Sequence, residues 1–162
     1  LTAVRLMGQN EREYHYASYD VIERYVRVAD EHFLGRWVER LLVTKPWWDT
    51  VDGLGSAAVR PLGRRYDIAD VVDRWSGSGD IWLIRAAIQH QRGWKHRTDV
   101  DRVLALCDRH WPNPEFFVAK AIGWALRYLT RIDADAVRRF LAAHPEPNQV
   151  ATREAERGLS RV

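Results

Sequence analysis

The chain predicts an all-α fold, a HEAT-like repeat α-solenoid (an α-α superhelix) of antiparallel helix pairs with a concave DNA-binding face. Three observations lead to the helical repeat. Apolar residues recur at helical spacing along the 162 residues, and no segment sustains the period-two alternation of a half-buried strand. Turn signals are short and separate the helical stretches: "GSGD" at 77–80, "PNPE" at 112–115 and "HPEP" at 144–147. Finally, Trp47, Trp82 and Phe117 follow one another at intervals of 35 residues, which sets "WWDTVDGL", "WLIRAAIQ" and "FVAKAIGW" in register.

Each of these three segments is preceded by another amphipathic stretch: "HFLGRWVERLLV", "YDIADVVDRW" and "VDRVLALCDRH". One interval back and one forward, "REYHYASY" and "TREAERGL" read as weaker members of the series. A two-helix unit cannot bury its own apolar face, so neighbours must stack, and the second helix of each pair is expected to line the concave side. Expected N-caps are Thr44, Asp80 and Asn113, the last with Pro114 as the first helical residue, and Thr98 with Asp101 resembles a capping box. The whole of 1–162 reads as one domain. It opens at Leu1 in mid-pattern, which suggests that N-terminal helices of a longer protein precede it.

Nearly half the residues are hydrophobic and the net charge is +3, which excludes a disordered chain. No run approaches the roughly 18 apolar residues of a membrane span, and no signal peptide is visible, so a cytoplasmic, nucleoid-associated protein is expected. The sole cysteine, Cys107, cannot form an intrachain disulfide and reads as a core residue. Arginine greatly outnumbers lysine, which suits bidentate phosphate contacts and permits nucleic acid as a partner. A coding bias toward arginine on solvated helix faces would look the same.

Trp48 and Asp52 stand four apart and share a helix face. Neighbouring helical residues point ~100° apart, so Trp47 and Trp48 cannot both face one core. Trp47 occupies the apolar repeat position and is expected inside, leaving Trp48 available. Arg85, inside the apolar "IWLIRAAI", needs a partner. Asp52, one repeat away, would make an inter-repeat ion pair with it; a phosphate contact from the groove is the alternative, and both can hold. Trp124 follows Gly123, where either a ligand or another backbone could approach closely, and Arg127 lies three residues on. The histidines at 15, 32, 90, 96, 110 and 144 form no His-x3-His pair and no HExxH, so neither a metal nor a cofactor is expected. There is no glycine-rich phosphate loop after a strand and no GxSxG elbow.

"TKPWWDTVDGL", "SGDIWLIRAAIQHQ" and "EFFVAKAIGWALRYLTRIDADAVRRFLAAH" resemble the AlkD-type DNA alkylation repair proteins, HEAT-like-repeat DNA glycosylases, in motif order and spacing. The resemblance implies a glycosylase acting on double-stranded DNA that contains alkylated purines. It places Asp52, Trp48 and Trp124 in the catalytic site, and Arg85 and Arg127, with Lys120 and Lys45, among the DNA contacts. A purine alkylated at N3 or N7 is cationic, so its glycosidic bond is already weakened. The requirement that remains is to stabilise an oxocarbenium-like sugar, which a carboxylate can do electrostatically. The protein is expected to be a monofunctional monomer without membrane contact. The other classes weighed are a non-catalytic repeat module binding DNA structure or a protein, and a peptide-binding scaffold.

Overall fold

The computed structural model describes residues 2–146 and 148–162; Pro147, in the expected turn at 144–147, lies outside them. Among the described residues the regular structure is helical throughout, and no helix is long and apolar enough to cross a membrane. The chain divides into two compact units, Leu1–His90 and Gln91–Val162.

In the first unit, α1 (Thr2–Met7) packs on α2 (Arg12–Tyr25), and α3 (Glu39–Leu42) leads into α4 (Trp48–Leu54). A wide turn at Gly55–Val59 joins α4 to α5 (Arg60–Gly63), and α6 (Ala69–Ser76) packs on α7 (Ile81–Ile88). The wide turn has a local cause. Pro61 has no N–H and its ring would strike the carbonyl one turn back, so a regular helix cannot run through it. Opening the turn relieves the clash. Arg60 bonds the carbonyls left behind, with Nε donating to Gly55 O at 3.1 Å and Nη2 to Asp52 O at 3.4 Å.

In the second unit, α8 (Val100–His110) pairs with α9 (Phe116–Leu129), and α10 (Ala134–Ala143) pairs with α11 (Gln149–Leu159), which lies along α9. An aromatic cluster sits at the chain reversals: the Phe140 and His144 rings stack at 4.2 Å, and Trp111 meets Phe140 edge-on at 5.3 Å. The Trp111 indole N–H donates to Glu146 O at 2.8 Å.

The repeat is visible in the polar contacts. Side chains of successive pairs bond across separations close to 35 residues: Tyr16 to Asp49, Arg74 to Glu39, Arg85 to Asp52, Lys120 to Glu154 and His144 to Asp108. Trp47 and Trp82, matched in the sequence register, meet with ring centroids 6.2 Å apart. Equivalent positions of neighbouring repeats therefore face each other, as stacking requires.

The helix starts differ from the sequence reading in several places. Asp80 caps α7 as expected, accepting the N–H groups of Trp82 and Leu83 at 2.9 and 3.0 Å. Thr44 instead closes the end of α3, its hydroxyl donating to Arg40 O. Asp99, not Thr98, caps α8 through the Arg102 N–H. Asn113 holds the turn before α9 by accepting the Glu115 N–H, and the helix begins at Phe116. In each case a short polar side chain satisfies a backbone group one or two residues from the expected one.

Trp47 is the larger correction: it is not in the core but as exposed as Trp48, at 42%. Its half-open pairing with Trp82 takes the place of burial. Gly123 is the close approach anticipated, and a backbone makes it. A Cβ there would lie 3.0 Å from Ala151 Cα and 2.8 Å from Glu154 Cβ, so α11 rests directly on α9. Gly123→Ala is expected to lower stability by about 1–3 kcal/mol, the usual cost of overpacking, which urea denaturation would measure.

Candidate functional site

Asp49 and Asp52, one turn apart on α4, bind neighbours on opposite sides. Asp49 accepts from Arg12, and from the Tyr16 hydroxyl at 3.0 Å, both on α2. Burial pushes the Asp49 carboxyl up, but the bonds from Arg12 and Tyr16, with the Thr50 N–H, outweigh it and hold it below its ordinary value. Asp52 faces α7. Arg85 Nε donates to Oδ1 at 2.9 Å and Nη2 to Oδ2 at 2.8 Å, a bidentate pair. Gln89 Nε2 adds a bond to Oδ1 at 3.1 Å. The Arg85 side chain keeps 3% of its surface, whereas Asp52 keeps 17%.

The sequence alternatives for Arg85 thus resolve toward the inter-repeat ion pair. Its buried guanidinium orients the carboxylate instead of reaching outward. Oδ1 carries two donors; Oδ2 carries one among the described residues and retains acceptor capacity. Beside Asp52, Gly55, Arg60, Ala86 and Gln89 line a space of about 10 Å³, the size of one water and far too small for a purine. Trp48, one turn before Asp52 on α4, is exposed. Gln89 was missed in the sequence, although it stands one helical turn after Arg85 on the same face.

The remaining basic candidates have clear partners. Lys45 does not point into a DNA-contacting cluster: its ammonium donates to Gly8 O and Gln9 O at 2.8 Å and to Asn10 Oδ1 at 2.6 Å. These acceptors lie at the C-terminal end of α1, where a cation is favoured by the helix dipole. All three ammonium protons are thereby engaged, which explains why the residue adopts a left-handed backbone, with φ of 46°.

Lys120 and Arg127 converge on Glu154 of α11, at 2.9 and 3.0 Å, and Arg157 joins at 3.1 Å. Lys120's hydrogen bond, with that of Arg127, holds the buried Glu154 carboxyl below the usual range against the upward push of desolvation. Three cations on one carboxylate leave the cluster at a net +2. Sequence reading missed Glu154 because a glutamate on an amphipathic helix carries no local sign that it will be buried.

Trp124 lies in the second unit and is half-buried. The Arg92 guanidinium sits over its ring, 4.4 Å from the centroid. Arg92, Trp124, Arg127, Tyr128 and Arg131 line a pocket of about 320 Å³. Cys107 is fully buried and its thiol is pushed up by desolvation, so it is a packing residue.

A family model described as DNA alkylation repair enzyme matches residues 1–159. The chain belongs to the DNA alkylation repair enzyme family. This DNA alkylation repair family member also matches a solved structure titled "Predicted DNA alkylation repair enzyme from Enterococcus faecalis", with a TM-score of 0.90 and 22% identity. The match covers 99% of this chain and 75% of that one, and at this identity it shows a shared fold. No curated protein matches the sequence.

Two stability outcomes follow. Removing either member of the Asp52–Arg85 pair strands a buried charge, so Asp52→Leu or Arg85→Met alone should cost about 3–5 kcal/mol. The double variant should recover much of that, as denaturant titration would reveal. Glu154, lowered in the folded state, contributes stability above its unfolded value that is lost as pH falls through its folded one. Unfolding free energies of Glu154→Gln should accordingly depend less on pH than the wild type's between about pH 5 and 3.

Proposed function

We propose that this family member is a monofunctional DNA glycosylase that releases cationic N3- or N7-alkylated purines from double-stranded DNA, the opening step of base excision repair. Its helix pairs act as HEAT-like repeats, and it works as a monomer in the cytoplasm, on nucleoid DNA. The observation that supports this best is the Asp52 carboxylate, oriented by Arg85 and Gln89 on α7 while keeping an open edge beside the exposed Trp48.

The chemistry asked of such a carboxylate is electrostatic. As the C1′–N bond breaks, its electron pair leaves with the base and neutralises the purine's charge. Positive charge then appears on the sugar. A fixed carboxylate aimed at it needs no reorganisation when that charge forms. Water adds to C1′ and yields its proton to solvent, and the water-sized space beside Asp52 is suited to hold that nucleophile. Trp48 offers an indole face to a cationic nucleotide, worth roughly 0.5–2 kcal/mol. Trp124, in the second unit, contributes a DNA contact of its own. The small volume beside Asp52 favours lesions handled at the DNA surface over a base rotated into a deep pocket.

The buried Asp52–Arg85 pair is also what a purely architectural role would produce, which gives a second reading: a non-catalytic DNA-binding repeat protein. Release of 7-methylguanine from a methylated duplex separates the two. Asp52→Asn, checked for folding by circular dichroism, should release the base at least tenfold more slowly while duplex affinity changes little. Equal release by the variant would remove Asp52 from the mechanism. Duplex binding by the wild-type chain with no base release would establish the architectural reading.

A further inference from the structure

The pocket on α9 has a composition that the carboxylate chemistry does not use. Trp124, Arg127, Tyr128 and Arg131 follow each other at helical spacing, so their side chains form one stripe running off the C-terminal end of the helix. The loop "QRGWKHR" at 91–97 brings Arg92 to the same pocket and carries three further basic residues. This loop is built with care. Gly93 and Lys95 both have left-handed backbones, with φ of 91° and 57°, and the Lys95 N–H donates to the Tyr128 hydroxyl. A lysine held in that conformation carries strain, which the loop retains because α9 fixes it.

Three guanidinium groups therefore line one pocket of about 320 Å³ with no carboxylate among its lining residues. Arg127 shares Glu154, but so do Lys120 and Arg157, and that cluster keeps two excess positive charges. The half-charge of about −0.5 at the end of α9 is too small to offset three cations. Tyr128, whose hydroxyl accepts from the loop, still has its own proton to donate. Planar guanidinium donors and a phenol proton around one space match the oxygens of a phosphate.

Trp124 is the platform of this arrangement. Its face holds the Arg92 guanidinium at 4.4 Å, which fixes the one arginine that comes from a loop. We infer that Arg92, Arg127, Tyr128 and Arg131 seat a backbone phosphodiester of DNA, and that Trp124 is a positioning residue whose indole holds Arg92 in place for that contact. The inference rests on DNA as the ligand and is independent of base release.

Salt dependence tests it, because each phosphate contact steepens the fall of affinity with salt, whereas stacking does not. The full chain is titrated with an undamaged duplex over a series of NaCl concentrations. Arg92→Ala and Arg131→Ala should each weaken binding and reduce the slope by about 1. Trp124→Leu should reduce the slope as Arg92→Ala does, and the double variant should show no further loss. Arg138→Ala, which removes an exposed cation on α10 outside the pocket, should leave the slope unchanged. Wild-type slopes in both Arg92→Ala and Arg131→Ala would overturn the phosphate seat. Weaker binding by Trp124→Leu at an unchanged slope would overturn the positioning role, showing that the indole stacks on the nucleotide itself. Both arginine substitutions lie at partly or fully exposed positions, so a folding failure of Trp124→Leu does not rescue the proposal. No outcome here depends on whether Asp52 promotes base release.

Discussion

The bidentate pair between Asp52 and Arg85 is the interaction on which the rest of the first unit's chemistry depends. Arg85 is almost fully buried within an apolar helix, where an unpaired guanidinium would cost several kcal/mol. Asp52 meets that need from the adjacent repeat, and Gln89 occupies a further acceptor site on it. The same bonds that make the charge tolerable also fix the carboxylate's direction. A stability requirement and a functional geometry are met by one set of contacts, so neither residue can vary without the other.

Carboxylates recur as the link between successive helix pairs. Asp49 ties α4 to α2, Asp52 ties it to α7, Glu39 receives Arg74 and the Trp75 indole from α6, and Glu154 gathers Lys120 and Arg127 from α9. The separations cluster near one repeat length because equivalent helix positions stack. Apolar burial favours stacking in general, and these directional bonds select the register in which it happens. They also explain the arginine-rich composition in part: a planar fork can serve a buried carboxylate as well as a phosphate.

The basic residues consequently divide into two populations. Arg85, Lys120 and Lys45 are engaged by protein acceptors and serve the fold, while Arg127 serves both Glu154 and the α9 pocket. Arg92 and Arg131 complete that pocket. Net charge alone would have counted all of them as equal candidates for nucleic acid. Their partners distinguish them.

The helical class, the interval of 35 residues, the Asp80 cap and the pairing of Asp52 with Arg85 were legible in the amino-acid order, because periodicity and the cost of burying a lone arginine are properties of the chain itself. So were the residue types that resemble the DNA alkylation repair family. The exposure of Trp47, the engagement of Lys45 at the end of α1 and the burial of Glu154 were not. Each depends on which distant atoms arrive beside a side chain once the pairs have stacked. Local spacing determines which face of a helix a residue shares, and only tertiary packing decides what that face meets.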